Sequence, residues 1–252
     1  MKLSRLLRSE DARQTLDLTL RLTQRSVSSE FKGTALGRLW SFINPLATIA
    51  IFALIFGVVF RGGVEPGRNS GINSFALWIG IGVLSWTFFS SGIMASMNAL
   101  VNNSGLLTKV YFPRQVLIYS AVLSLAVDFA FELLVLVIIA MILGGPGVLA
   151  MIPALLVVTV LVGMFAVGLG LMLSIATVYF RDLGHLWQIF NQMWMYASGV
   201  VFPLTMVNKV QNDLFDKGWQ VNGGPIPLTT ILRLNPAETY LEAFRSCLYD
   251  FA

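Results

Sequence analysis

Between Leu39 and Phe60 the chain runs for 22 residues without a charged side chain. As a helix that run is about 33 Å long at about 1.5 Å per residue, enough to cross the hydrocarbon layer of a bilayer. Four more long, mostly apolar runs follow. A second span is expected from Phe75 to Leu100 and a third from Pro113 to Leu143, ended by the helix breaker Gly144-Gly145-Pro146-Gly147. A fourth runs from Pro153 to Phe180, and a fifth from Leu186 to Phe202, where Pro203 stops or kinks it. With 56% hydrophobic and 12% charged residues and a mean hydropathy of +0.75, the chain lies outside the composition of ordinary soluble domains. The sequence therefore predicts an all-α integral membrane protein with five spans.

Small residues recur every four positions at Ser91, Ala95 and Ala99 in the second span and at Ala166, Gly170 and Ser174 in the fourth. Such stripes let helices approach closely in lipid. The third span carries Asp128 and Glu132, four apart and so on one face. Charge near the middle of a bilayer costs about 2.5 to 3.5 kcal/mol on insertion scales, so both should face protein or water. They read either as a proton or cation site or as a hydrogen-bonded pair packed between helices, with no intramembrane Lys, Arg or His to partner them.

Eight of the 17 Lys and Arg residues precede Trp40, among them Arg21, Arg25, Lys32 and Arg38. With the amino terminus inside, eleven basic residues fall on the inner side and six on the outer, the bias expected of a cytoplasmic amino terminus. The simplest partner for these charges is an anionic membrane surface, with no need of nucleic acid. Leu16, Leu18, Leu20 and Leu22 alternate with polar residues as a strand would. On a helix, Leu16, Leu20, Val27 and Phe31 share a face. Near the other end Asn235 is placed to cap a helix, with Pro236 at its first position and Glu238 at its third.

No glycine precedes a lysine, so the chain holds no GxxxxGK[ST] phosphate loop, and it has no HExxH, GxSxG or Cys/His cluster. Its one cysteine, Cys247, and one histidine, His185, suggest neither a disulfide nor a metal site. If ATP drives this protein, another polypeptide binds the nucleotide.

A polar, basic stretch from Asn102 to Arg114 separates the second and third spans. Asn102, Asn103 or Ser104 would cap a short helix there, and Pro113 suits the first turn of the next. The run Lys109-Val110-Tyr111-Phe112-Pro113-Arg114 resembles the cytoplasmic coupling loop of permeases of ABC-type polysaccharide exporters, which move O-antigen, teichoic acid and related polymers. Three further places fit: Leu36-Gly37-Arg38-Leu39-Trp40 with Asn44-Pro45-Leu46, Tyr179-Phe180-Arg181-Asp182-Leu183, and Asn235-Pro236 with Glu242-Ala243-Phe244-Arg245. Each motif is short, but their order covers almost the whole chain.

The resemblance implies an interfacial amino-terminal helix in residues 1–38, a transmembrane domain in 39–208 with the coupling loop at 102–114, and short re-entrant outer helices in 209–252. The family has a sixth span after these, which the chain does not reach by Ala252. It also implies contact with a separate ATPase, carrying ATP and Mg, through Leu106, Lys109, Val110, Tyr111, Phe112, Pro113, Arg114, Arg181 and Asp182. Arg21, Arg25, Lys32 and Arg38 would gather the diphosphate of a lipid-linked polysaccharide. Trp86, Phe190, Trp194 and Tyr196 would line the translocation path, their rings suited to sugar faces. The expected assembly is a homodimer in the bacterial inner membrane, because one such unit could hardly enclose a polymer-wide path. Two other classes compete: an ion-coupled transporter using Asp128 and Glu132, and a membrane enzyme acting on lipid-linked sugars.

Overall fold

The computed structural model describes residues 2–30, 32–55, 64–107, 113–180, 182–221 and 224–252, the side chains of 2–12, 106–107, 220–221 and 224–225 apart. Its helices are α1 (Lys2–Glu30), α2 (Trp40–Phe52), α3 (Phe75–Asn102), α4 (Ser104–Leu107), α5 (Gln115–Gly144), α6 (Ile152–Tyr179), α7 (Leu183–Tyr196), α8 (Leu204–Asp216), α9 (Leu228–Arg233) and α10 (Pro236–Arg245). A two-residue antiparallel pair, β1 (Gln220–Val221) and β2 (Gly224–Pro225), joins α8 to α9. Among the described residues four stretches are long and apolar enough to cross a membrane: Gly37–Ile55, Phe75–Asn102, Gln115–Gly144 and Pro146–Tyr179. The breaker after the third span acts as expected. Gly145 takes a left-handed φ of 87°, open to glycine at little cost, and Pro146 begins a 3-10 turn that leads into α6.

The fifth expected span is shorter than the sequence suggested. α7 covers 14 residues, about 21 Å, and stops at Tyr196 rather than continuing to Phe202. The chain leaves the helix through Ala197 and Ser198, and Gly199 has a left-handed φ of 61°.

Two compact units divide the chain. The first comprises Met1–Ile43, Phe88–Leu133 and Thr159–Gln188. Here the small residues of α6 meet α3: a Cβ on Gly170 would stand 2.1 Å from Cβ of Ser96, and one on Gly92 would stand 3.2 Å from Cβ of Ala166. The stripe on α6 is the expected one, whereas α3 answers with Gly92 and Ser96, one position along from Ser91 and Ala95. Phe88 stacks on Phe129 with centroids 4.4 Å apart, and Phe89 on Phe165 at 5.8 Å.

α1 is helical, as the resemblance implied, but it buries threonines instead of leucines. Thr19 and Thr23 are buried, Thr23 reaching the carbonyls of Thr19 and Ser120, while Leu16 and Leu20 are 60% and 49% exposed. In lipid this is no anomaly. A leucine loses little by facing acyl chains, and small side chains permit the closer helix contact.

The second unit comprises Asn44–Thr87, Leu134–Val158 and Ile189–Ala252. The loop before α3 is tied to the end of the chain. The Arg68 amide donates to Asp250 Oδ1 at 3.1 Å, Asn69 Nδ2 to the Phe251 carbonyl at 3.0 Å, and the Tyr249 hydroxyl to the Glu65 carbonyl at 3.2 Å. Ile72 and Phe251 fill the space beside Gly144.

Candidate functional site

The loop that resembles a coupling element is described at its two ends. Asn103 Nδ2 donates to the Ala99 carbonyl at 2.8 Å and closes α3, so the single turn α4 starts at Ser104 and includes Leu106. Lys109, Val110, Tyr111 and Phe112 lie outside the described residues, as does Arg181. Pro113 and Arg114 are exposed, and their carbonyls accept the amides of Val116 and Leu117 at the start of α5. Exposed Asp182 does the same for α7, its carbonyl accepting the amides of His185 and Leu186.

The four basic residues assigned to a diphosphate fall into three surroundings within the first unit. Arg21 pairs with Asp17 at 3.0 Å on an exposed helix face, a contact worth little in water. Arg25 stands on the wall of a cavity of about 370 Å³ with Ser26, Ser29, Asn102, Asn103 and Ser120. Lys32 and Arg38 line a different cavity, of about 480 Å³, with Gln24 and Ser28, and no carboxylate is among its described lining residues. Arg38 also lies 5.7 Å from the centre of the Phe131 ring, which Phe42 meets edge-on at 5.4 Å.

Asp128 has the cationic neighbour that the sequence did not reveal. Its side chain lies near those of Glu30 and Arg38, and Glu132 lies near Asp128.

The aromatic residues split. Trp86 is buried and meets Trp194 edge-on at 6.0 Å, and Phe190 lies 5.5 Å from Trp194, whereas Tyr196 is exposed. Trp194 is held by Asn235, the capping residue of α10. Trp194 Nε1 donates to Asn235 Oδ1 at 2.8 Å, and the same oxygen accepts the Ala237 amide at 3.1 Å. Asn235 Nδ2 donates to the Ala197 carbonyl at 3.1 Å and to Ser198 Oγ at 2.8 Å. The side-chain amide thus uses its full hydrogen-bonding capacity on the start of α10 and the end of α7.

Two charged residues of α10, Arg245 and Glu238, are buried here. Arg245, 2% exposed, donates through Nη2 to the carbonyls of Gly199 and Val200 at 3.1 and 3.0 Å and through Nη1 to Glu242 at 3.1 Å. Its guanidinium stacks 3.6 Å from the centre of the Trp78 ring. Gly82 makes room for it, since a Cβ there would stand 2.6 Å from Nη2. Glu238, also 2% exposed, lies against Gly199, and neither carboxyl oxygen has a hydrogen-bond partner among the described residues. Burial pushes its carboxyl from 4.5 up to about 7; Glu242 adds to the rise, and Arg245 and Arg233 oppose it. Asn235 caps α10 as expected, and its own amide donates to the Leu232 carbonyl, so Glu238 at the third position is not engaged there. The missed signal was spacing: Glu238, Leu241, Arg245 and Leu248 follow one another at helical intervals, so the charges share the apolar face.

Long apolar helices with irregular backbone held by buried polar side chains define a multi-pass α-helical membrane protein. Residues 17–212 match the family model described as ABC-2 type transporter, and the chain belongs to that family. Over 92% of its length it is 28% identical to the O-antigen export system permease protein RfbA of Myxococcus xanthus, covering 80% of that protein. It is 24% identical, over 76% of its length and 71% of the relative's, to a protein of the same name from Klebsiella pneumoniae.

Proposed function

We propose that the chain is the permease subunit of an ABC-type polysaccharide exporter, with a lipid-linked polymer as cargo. The observation that carries this reading is the family match across residues 17–212, joined by similarity to O-antigen export permeases over most of the chain. ATP and Mg belong to a separate ATPase, which docks on the cytoplasmic loop from Asn102 to Arg114 and beside Asp182. Two permease copies in the bacterial inner membrane, their amino termini cytoplasmic, form the path. Polymer passes along aromatic residues that include Phe190 and Trp194.

The lipid diphosphate enters at the cavity of Lys32 and Arg38. That choice is supported by two cations, a hydroxyl and an amide around one cavity. Arg21, already paired, and Arg25, in another cavity, are left to topology and to packing of α1. Asp128 is assigned a structural role, because its neighbours Glu30 and Arg38 tie α5 to the segment before the first span.

Replacing Arg38 by Lys tests the diphosphate site, since it keeps the charge and the topology but loses the planar fork that grips phosphate oxygens in pairs. Loss of about one charge-assisted hydrogen bond corresponds to about a tenfold weaker apparent affinity for the lipid-linked substrate. Export measured against substrate concentration should show that rise at unchanged assembly. Unchanged export in Arg38→Lys and Lys32→Ala proteins would leave these residues as topology signals only.

A further inference from the structure

The end of α7 is an unusual place to break a helix, because its released carbonyls stay inside the protein. Ser198, Gly199 and Val200 are buried. In a membrane protein, backbone that leaves helical geometry must find partners within the protein. Here the partners come from α10, by way of Asn235 and Arg245. Asn235 also fixes the indole of Trp194 through its Nε1 hydrogen.

Between these two residues on α10 stands Glu238, wedged so closely behind Gly199 that a Cβ there would lie 2.7 Å from its Oε2. A contact that served packing alone would be met by an apolar residue. Instead the wedge is a carboxyl with no hydrogen-bond partner among the described residues. The carbonyl of the same Gly199 accepts from Arg245. The charged groups around it are Glu242 and Arg245 on α10 and Arg233 on α9.

We propose that Asn235 and Arg245 are positioning residues for export, fixing the length and rotation of α7 and hence the place of its Phe190 and Trp194 rings, and that ionisation of Glu238 loosens this hold. The export part rests on the reading of the chain as a permease. The neutral carboxyl fits behind Gly199, whereas a carboxylate there has no hydrogen-bond partner among the described residues and its charge would draw on Arg245, the group that holds the Gly199 and Val200 carbonyls. The sign follows from a folded value of about 7 against an ordinary 4.5. Stability contributed by the protonated group is fully present below 4.5 and is lost as the pH rises through about 7.

The test uses the full chain in nanodiscs, alone and with its ATPase. Tryptophan emission of the wild type should shift in a transition centred near pH 7, and Glu238→Gln should remove it. Polymer exported per ATP hydrolysed should fall several-fold between pH 6 and pH 8 in the wild type and stay flat in Glu238→Gln. At pH 6, Trp194→Phe, which keeps a ring but loses the bond to Asn235, should lower export per ATP about twofold to fivefold at unchanged assembly, about 0.4 to 1 kcal/mol. Arg245→Lys, measured per assembled transporter, should lower it more strongly. An emission profile unaffected by Glu238→Gln, or wild-type coupling in Trp194→Phe, overturns the proposal. A wild type that exports nothing with ATP overturns the permease reading instead, and the emission titration then still decides whether Glu238 governs the hold on α7.

Discussion

Replacing Arg245 by Met is expected to cost about 3 to 5 kcal/mol, close to the loss of the assembled protein. Methionine has similar reach and no charge, so packing is largely kept while three hydrogen bonds disappear. The Gly199 and Val200 carbonyls lose their donor inside the protein, at about 1 to 3 kcal/mol for each group left unsatisfied. The stacked cation on Trp78 goes too, a desolvated contact worth about 2 kcal/mol. Glu242 loses its partner at smaller cost, because its side chain is 46% exposed. The measurement is the thermal midpoint of purified protein, which should fall by about 10 °C. Arg245→Lys should recover part of the loss, as one ammonium cannot bridge the same acceptors. A midpoint within two degrees of wild type in Arg245→Met, on the order of 0.5 kcal/mol, would show that α10 does not hold the end of α7.

Gly170→Ala should be nearly as damaging, although it adds one methyl group. The new Cβ would meet Cβ of Ser96 at 2.1 Å, against a comfortable separation of about 3.5 to 4.0 Å, and both atoms are fixed to helix backbones. No rotamer change relieves the clash, so α3 and α6 must part and give up contacts along the Gly92 and Ala166 crossing. The expected loss is about 3 kcal/mol, the upper end for overpacking. Two companion proteins make the test specific. Ser96→Gly in the Gly170→Ala background removes the opposing Cβ and should restore most of the stability. Gly168→Ala, where nothing lies within 4 Å, should be neutral or slightly stabilising through helix propensity. Equal destabilisation by Gly168→Ala and Gly170→Ala would refute the crossing.

The spans were legible because hydrocarbon tolerates few charges, so their absence between Leu39 and Phe60 and their scarcity in the later runs are a direct signal. Gly145 and Pro146 were legible for the same local reason, each acting through its own φ. The crossing of α3 and α6 was half legible. Spacing of four marks a stripe, but several stripes on α3 satisfy it, and choosing Gly92 and Ser96 over Ser91 and Ala95 needs the partner helix.

What sequence could not supply were bonds between distant segments. Asn235 reads as a helix cap and is one, yet its grip on Trp194 and Ala197 spans about forty residues. The early end of α7 coincides with the left-handed Gly199 and with that grip, and only the first of these is local. Arg38 and Glu30 come to Asp128 from some ninety residues away, which is why the acid looked unpartnered. Of the expected site, the Lys32 and Arg38 pair and the cluster of Trp86, Phe190 and Trp194 come together, while Arg21, Arg25 and Tyr196 stand elsewhere.

The central claim is that this chain moves a lipid-linked polymer at the expense of ATP hydrolysed on another polypeptide. Purified permease and its copurifying ATPase, reconstituted in sealed vesicles, should bring lipid-linked polysaccharide within reach of an impermeant glycosidase on the far side. That transfer should require ATP and Mg and should stop when the ATPase is omitted. Transfer at full rate without the ATPase and driven by an ion gradient, or no transfer with both subunits and ATP present, would contradict the account.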